Sequence, residues 1–221
     1  MSKIALITGA NRGIGLSLAR LYRDRGWSVI ATCRSDSNLA AESNMEVVSG
    51  VDVAQVDCGA QIARAVGERQ IDLLINNAGI LNREVLGSIN YDSVQQQFDT
   101  NALGPLRITE ALLPNLSGDA KIMMVTSRMG SIEDNTSGSR YGYRMSKVAL
   151  NMASVSLAHD LRARGIAVGI VHPGLVGTDM IGGVGDITPD QAAARIADRI
   201  EELGLHNSGS FWHSNGEILP W

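Results

Sequence analysis

Short apolar runs alternate with longer amphipathic stretches along the whole chain. The runs are rich in β-branched residues and are continuous rather than alternating with polar positions, which indicates strands buried on both faces of a sheet. They lie at 4–8, 28–33, 46–51, 71–75, 120–126, 166–172 and, more weakly, 210–213. The amphipathic stretches predict helices at 13–25, 53–68, 91–113, 143–164 and 189–203.

This alternation predicts an α/β fold with right-handed crossovers between strands. The expected architecture is a doubly wound, Rossmann-type parallel sheet of about seven strands with helices on both faces. No linker, internal repeat or low-complexity segment interrupts the pattern, so we expect one domain over residues 1–221. Two glycine-containing stretches, 128–140 and 174–189, follow strands and have little to pack. Both should project from the carboxyl edge of the sheet, where such folds bind ligands.

The end of the first strand carries glycines at spacings that favour dinucleotide binding. Gly9 can form a tight turn, Gly13 can let the backbone approach a pyrophosphate, and Gly15 can let the next helix pack on the strand. The N–H groups and dipole of that helix would then face the phosphates. A merely structural turn is the alternative, but the position between a first strand and a helix favours the binding site.

Tyr143 and Lys147 form a candidate proton-transfer pair. They are four residues apart in a predicted helix and so share one face. An ammonium beside a phenol lowers the phenol pKa from about 10 towards the working pH, which suits proton exchange with a carbonyl oxygen. Ser127, at the end of the fifth strand, is placed to hydrogen-bond the same oxygen. Tyr141 is a rival phenol, but six residues separate it from Lys147, so Tyr143 is predicted.

Together these motifs resemble the short-chain dehydrogenase/reductase family, whose first turn reads T-G-x-x-x-G-x-G. The long segment before Tyr143 and the ending 216–221 look most like the C-factor and sniffer-type carbonyl reductases. The resemblance implies a catalytic set of Asn101, Ser127, Tyr143 and Lys147. It also implies that Asn101 holds a water that passes protons to Lys147, and that Lys147 binds the nicotinamide ribose.

The family pattern also implies a set of cofactor-binding residues along the carboxyl edge. They come from the first turn, the ends of the second, third and fourth strands, the catalytic helix and the loop after the sixth strand. These residues are Gly9, Asn11, Arg12, Gly13, Ile14, Gly15, Arg34, Asp52, Val53, Asn77, Ala78, Gly79, Tyr143, Lys147, Pro173, Gly174, Val176 and Thr178.

The two arginines in this set predict NADP(H) in preference to NAD(H). In NAD sites an acidic residue about 20 residues after the glycines binds the ribose 2′-OH. Here Arg34 follows the second strand, and together with Arg12 it could form charge-assisted bonds to a 2′-phosphate. Two alternatives remain open: both arginines could be solvated, and Asp36 is close enough to serve as a ribose ligand.

Charge and composition narrow the possible partners. A net charge of −4 gives no overall field that attracts nucleic acid or anionic membranes. No stretch approaches the ~20 apolar residues of a membrane span. Two cysteines without C-x-x-C spacing fit a reducing compartment, and the four histidines lack metal-ligand spacing. We therefore expect a cytoplasmic protein without a metal. The family resemblance implies a homodimer or homotetramer paired through the helices at 91–113 and 143–164.

The expected activity is NADP(H)-dependent reduction of a small ketone or aldehyde, with Tyr143 as the proton donor. The substrate mouth should be lined by Leu81, the segment 129–140, Met180 and Ile181. The alternative is a signalling or regulatory protein of the C-factor type that binds the dinucleotide with little or no required turnover, because a fold does not fix a function.

Overall fold

The computed structural model describes residues 2–35 and 43–221, and the strands of these residues form one parallel sheet. The strands are β1 (Ile4–Thr8), β2 (Ser28–Thr32), β3 (Met45–Val48), β4 (Ile71–Asn76), β5 (Leu116–Val125), β6 (Ala167–His172) and β7 (Phe211–His213). Within the described residues the seven strands lie in the order β3-β2-β1-β4-β5-β6-β7, and each neighbouring pair is parallel. The predicted doubly wound fold is therefore confirmed. The order of the strands in the sheet reverses between β1 and β4.

Helices cover both faces of this sheet. They are α1 (Gly13–Asp24), α2 (Cys58–Val66), α3 (Tyr91–Phe98), α4 (Gly104–Ala111), α5 (Tyr141–Asp160) and α6 (Pro189–Glu202). On one face α1 and α6 pack over a core that includes Ile7, and on the other face α2, α4 and α5 pack over a core that includes Leu6. Because adjacent strand residues point to opposite faces, both cores need apolar side chains, which explains the continuous apolar runs.

The helix predicted at 53–68 begins later, at Cys58. The Asp52 carboxylate accepts the N–H of Ala54 (3.0 Å), and this local bond turns the chain before the helix can start. The turn leaves Asp52 at the edge of the sheet, next to the end of β2.

The helix predicted at 91–113 is divided. A π-helical turn over Asp99–Leu103 separates α3 from α4. Pro105 has no N–H to give to the carbonyl of Asn101, so the α-helical ladder is interrupted there. The interruption falls on one of the predicted catalytic residues, as such turns often do at functional sites.

The stretch 174–189 is more regular than its composition predicts. It folds back on itself through bonds from the Gly177 N–H to the Ile187 carbonyl (3.0 Å) and from the Asp186 N–H to the Leu175 carbonyl (2.8 Å). Val176 is buried beneath this turn. The helices of the described residues are too short or too polar for any of them to cross a membrane.

Candidate active site

A cleft of about 520 Å³ runs along the carboxyl edge of the sheet, past the point between β1 and β4 where the strand order reverses. Most of the predicted cofactor-binding residues line it. They are Gly9, Asn11, Arg12, Gly13, Ile14, Gly15, Arg34, Asp52, Val53, Asn77, Ala78, Gly79, Tyr143, Lys147, Pro173 and Thr178. Gly174 and Val176 line the adjoining cavity instead. Sequence reasoning missed Ser35, Gln96, Thr100 and Thr126, which have no motif and reach the cleft only through the fold.

The glycine turn between β1 and α1 is built for close approach. Gly9 and Gly13 have φ values of 65° and 54°, which favour glycine. A Cβ on Gly15 would overlap the Gly9 carbonyl oxygen and the Asn77 amide. The Asn77 amide nitrogen holds the turn by donating to the carbonyls of Thr8 (3.0 Å) and Gly9 (3.3 Å).

The start of α1 offers donors to an anion. Its N-cap residue, Arg12, makes no side-chain capping bond, so the first-turn N–H groups remain available on the cleft side. The residues present therefore fit the pyrophosphate of a dinucleotide. This is the group that the sequence pattern predicts the turn to bind.

The two arginines predicted to select the cofactor both line this cleft. Arg34 is exposed. Arg12 forms an exposed ion pair with Asp179 (3.3 Å), which sequence reasoning missed because the partner lies in a distant loop. The rival ribose ligand, Asp36, lies outside the described residues.

Tyr143 and Lys147 lie on one buried face of α5, as predicted. The Lys147 ammonium donates to the carbonyl of Val125 at the end of β5 (3.0 Å) and lies 5.8 Å from the centre of the Tyr143 ring. Ser127 follows β5, is hydrogen-bonded to Tyr143, and accepts the N–H of Met129 (3.1 Å). These contacts bring a hydroxyl, a phenol and an ammonium together at the end of β5.

The pKa of Tyr143 differs from the sequence-based expectation. Burial raises it above its ordinary value, while the hydrogen bond from Ser127 and the Arg140 cation partly oppose this rise. The expected lowering by Lys147 is not found, because the ammonium is directed at the Val125 carbonyl and burial lowers its own pKa to about 8. Arg140, which the sequence did not single out, is therefore a cation that lowers the pKa of this phenol.

Asn101 is fully buried and its side chain is engaged by protein groups. Its oxygen accepts the N–H of Ile80 (2.8 Å), and its nitrogen donates to the Ile80 carbonyl (2.9 Å) and to Ser146 (3.0 Å). A Cβ on Gly79 would lie 3.2 Å from the Asn101 oxygen and 3.7 Å from the Lys147 nitrogen. The structure thus places Asn101 beside Lys147, with Gly79 keeping the space between them free.

A second cavity of about 510 Å³ adjoins the cleft and shares Tyr143 with it. Part of the predicted mouth lines it, namely Leu81, Met180, Ile181 and, from the segment 129–140, Met129, Asp134, Ser137 and Arg140. Tyr141, at the first residue of α5, lines neither cavity. Position therefore favours Tyr143 over its rival phenol.

Glu84 is a supporting residue that sequence reasoning missed. It is buried, and its carboxylate accepts the N–H of Gly142 (3.2 Å) in the first turn of α5 and the amide of Gln97. A carboxylate at a helix N-terminus is favourable, so Glu84 fixes the end of the helix that carries Tyr143. No sequence signal marks it, because an isolated glutamate ordinarily lies at the surface.

Comparisons with known proteins show what the chain is similar to. A family model described as short chain dehydrogenase matches residues 3–187. The chain is 41% identical to the 1-hydroxy-2-glutathionyl-2-methyl-3-butene dehydrogenase of Rhodococcus sp. (strain AD45), over 98% of each chain. It is 43% identical to the C-signal of Myxococcus xanthus over 68% of this chain and 93% of that protein.

Among solved structures, the NADPH-bound carbonyl reductase from chicken fatty liver matches 100% of this chain and 99% of that chain. The TM-score is 0.88 and the sequence identity is 29%. These similarities confirm the predicted resemblance to C-factor and carbonyl reductase types.

Proposed function

This chain belongs to the short chain dehydrogenase family and is an oxidoreductase, and we propose that it reduces a small ketone or aldehyde with NADPH, with Tyr143 as the proton donor. The observation that carries the proposal is the position of Tyr143. Its phenol lines both the dinucleotide cleft and the adjoining cavity, beside Ser127.

The residues of the site divide the work of such a reaction. NADPH, when bound, supplies a hydride to the carbonyl carbon. Ser127 donates a hydrogen bond to the carbonyl oxygen and orients it, and Tyr143 donates its phenolic proton to that oxygen. Because burial favours the neutral phenol, Tyr143 holds the proton that it must give. Lys147 binds the nicotinamide ribose, and Asn101 supports it as a member of the catalytic set.

The cofactor proposal is NADP(H) in preference to NAD(H). Most of the residues that would hold it line the cleft. The first turn of α1 and Asn77 would frame the pyrophosphate, Asp52 and Val53 would contact the adenine ring, and Pro173 and Thr178 would flank the nicotinamide. Arg12 and Arg34 would bind the 2′-phosphate. The exposed pair of Arg12 with Asp179 contributes little stability, so a phosphate carrying up to two charges can displace it.

The competing assignment is a regulatory protein that binds the dinucleotide with little or no required turnover. The observation that favours it is the 43% identity to a protein named C-signal. The set of Tyr143 and Lys147 at the cleft, Ser127 in the adjoining cavity and Asn101 buried beside Lys147 favours the reductase, because binding alone requires neither Ser127 nor the phenolic proton.

We propose a homodimer or homotetramer that pairs through α3, α4 and α5. Tyr91, Met145 and Met152 on these helices are exposed, which leaves apolar surface for a second copy. Sedimentation equilibrium tests this arrangement together with Met152→Glu, which should shift the protein towards monomer. A monomeric wild type would contradict it.

A screen for NADPH oxidation against aldehydes, ketones and quinones tests the proposed activity. We expect turnover of at least one class, seen as loss of nicotinamide absorbance together with the alcohol or hydroquinone product. NADPH binding without turnover of any of the three classes would favour the regulatory protein. Failure to bind NADPH would contradict both assignments.

A further inference from the structure

Two arginines lie at the mouth of the second cavity, beside the reacting phenol. Arg140 and Arg144 line this cavity together with Ser127 and Tyr143. A guanidinium nitrogen of Arg140 lies 3.6 Å from the sulfur of Met129. Met129 in turn donates its N–H to Ser127. Arg140 therefore lines the same cavity as Ser127, the group that would orient the substrate oxygen, and contacts the residue that is hydrogen-bonded to it.

Neither arginine has a carboxylate partner among residues 2–35 and 43–221. Arg144 donates to two neutral acceptors, the Gly138 carbonyl (3.1 Å) and the Ser137 hydroxyl (2.9 Å). Arg140 contacts a thioether, which is a weak acceptor. Burial, followed by the repulsion from Arg140, lowers the pKa of Arg144, so the two cations are close enough to interact.

The remaining charges near the mouth are already engaged. Arg128 lines the same cavity, but it is paired with Asp134 (3.3 Å) and Glu217 (3.3 Å). The buried Glu84 carboxylate is held by Gly142 and its other hydrogen-bond donors. Among the residues that line the second cavity, the three arginines Arg128, Arg140 and Arg144 outnumber the one carboxylate, Asp134.

The backbone before α5 is strained in a way that fixes the direction of Arg140. Gly138, Ser139 and Arg140 have φ values of 63°, 58° and 53°, and two of these residues carry side chains that disfavour the left-handed region. Strain of this kind persists only where neighbouring contacts hold it, and it is common at ligand-binding sites. Here the two bonds from Arg144 hold the segment.

We propose that Arg140, positioned by Arg144, binds an anionic group of the substrate, so that the enzyme acts on carbonyl compounds that carry a carboxylate. This inference rests on the proposed reductase activity. A guanidinium binds a carboxylate through two parallel hydrogen bonds, which fix orientation as well as affinity. Leu81, Met180 and Ile181 supply apolar surface for the carbon skeleton between the carboxylate and the carbonyl.

A matched pair of aldehydes tests the proposal. We expect 4-carboxybenzaldehyde to be reduced with a kcat/KM at least ten-fold above that of its methyl ester, since a charge-assisted bond is worth about that factor. Arg140→Gln should remove this difference in kcat/KM between the two aldehydes. It should do so mainly by raising KM for 4-carboxybenzaldehyde, because the contact is made before the chemical step. Arg140→Lys should keep part of the difference. Arg64→Gln, which removes an exposed charge from α2, is the control and should leave the ratio unchanged.

Binding to the NADP⁺ complex separates this inference from the proposed activity, because no reduction can occur there. Calorimetry should show tighter binding of 4-carboxybenzaldehyde than of the ester, and loss of that preference in Arg140→Gln. If this holds while neither aldehyde is reduced, the anion site stands and the reductase proposal fails. If both are reduced equally, or the preference survives Arg140→Gln, the anion site is wrong and the reductase stands. An absence of both reduction and preference would overturn both.

Discussion

At the scale of single residues, the environment of Tyr143 differs from that of an ordinary surface tyrosine in three respects. The phenol is buried, it is hydrogen-bonded to Ser127, and it interacts electrostatically with the Arg140 cation. Burial dominates and keeps the proton on the oxygen, while the other two groups moderate the rise in pKa. This combination suits a proton donor whose proton must leave only when negative charge develops beside it.

Tyr143→Phe should reduce the maximal rate by about 10²-fold or more and leave NADPH affinity nearly unchanged, because it removes the donor while the ring still fills its space. Tyr141→Phe is the matched control, since Tyr141 lines neither cavity and should keep substantial activity. Steady-state rates and NADPH dissociation constants for both variants check this. Normal turnover in Tyr143→Phe with an inactive Tyr141→Phe would mean that the wrong tyrosine was assigned.

Lys147 should give the stability of the protein a pH dependence of known sign. Burial lowers its pKa from 10.5 to about 8, so the unfolded chain binds more protons than the folded chain between these two values. The contribution of Lys147 to the free energy of unfolding therefore rises with pH across this window, and the cost of its buried charge is fully present below it.

Lys147→Met removes this titration, so its stability relative to the wild type should be highest near pH 7 and should decline by about pH 10. Urea denaturation at several pH values measures the difference between the two proteins. Curves that stay parallel across the window would show that the folded chain does not depress the pKa of Lys147.

At the scale of elements, the β1–α1 turn and the start of α5 were not equally predictable. The turn could be predicted because its chemistry is local. A Cβ on Gly9 or Gly15 would collide with neighbouring backbone atoms, and Gly13 has a positive φ. The N-terminal end of α5 depends on Glu84, a residue distant in sequence that no spacing rule connects to Gly142. The role of Arg140 was missed for the same reason, since its contact with Met129 and its place in the cavity beside Tyr143 arise only through tertiary packing.

Gly15→Ala should weaken NADPH binding about ten-fold or more and lower the free energy of unfolding by about 1–3 kcal/mol. The added methyl group would overlap the Gly9 carbonyl and the Asn77 amide, so the turn that frames the pyrophosphate must shift. Gly118→Ala is the control, because the nearest heavy atom to its Cβ would lie 3.9 Å away. Cofactor titration and urea denaturation measure both effects. Wild-type affinity in Gly15→Ala would contradict the proposed role of the turn.

At the scale of the whole molecule, the cleft draws on distant parts of the chain. Residues from the first turn, the ends of β2 and β4, α5 and the loop after β6 all line it. The apolar runs predicted the strands, and their alternation with helices predicted a doubly wound parallel sheet, so the edge that carries the site could be located from sequence. The identity of the cations and carboxylates that pair across that edge could not be, since Arg12 and Asp179 are 167 residues apart.

NADPH should stabilise the entire fold more than NADH at the same concentration. A ligand at 100 times its dissociation constant adds about 2.7 kcal/mol to the free energy of unfolding, so a tighter ligand gives a larger rise in Tm. Arg34→Gln should reduce the rise caused by NADPH and leave that caused by NADH, whereas Arg64→Gln should change neither. Thermal unfolding with each cofactor measures this. Equal stabilisation of the wild type by both would point to Asp36 as a ribose ligand.

The ion pair between Arg12 and Asp179 means that the 2′-phosphate of the cofactor and the Asp179 carboxylate would compete for the same guanidinium. Asp179 lies on the turn that also carries Thr178. Asp179→Asn should therefore tighten NADPH binding and leave NADH unaffected, as titration of both cofactors would reveal. Loss of this ion pair would also remove a contact between the turn and the start of α1. Binding of the 2′-phosphate at the adenosine end of the dinucleotide would therefore increase the mobility of the loop at the nicotinamide end.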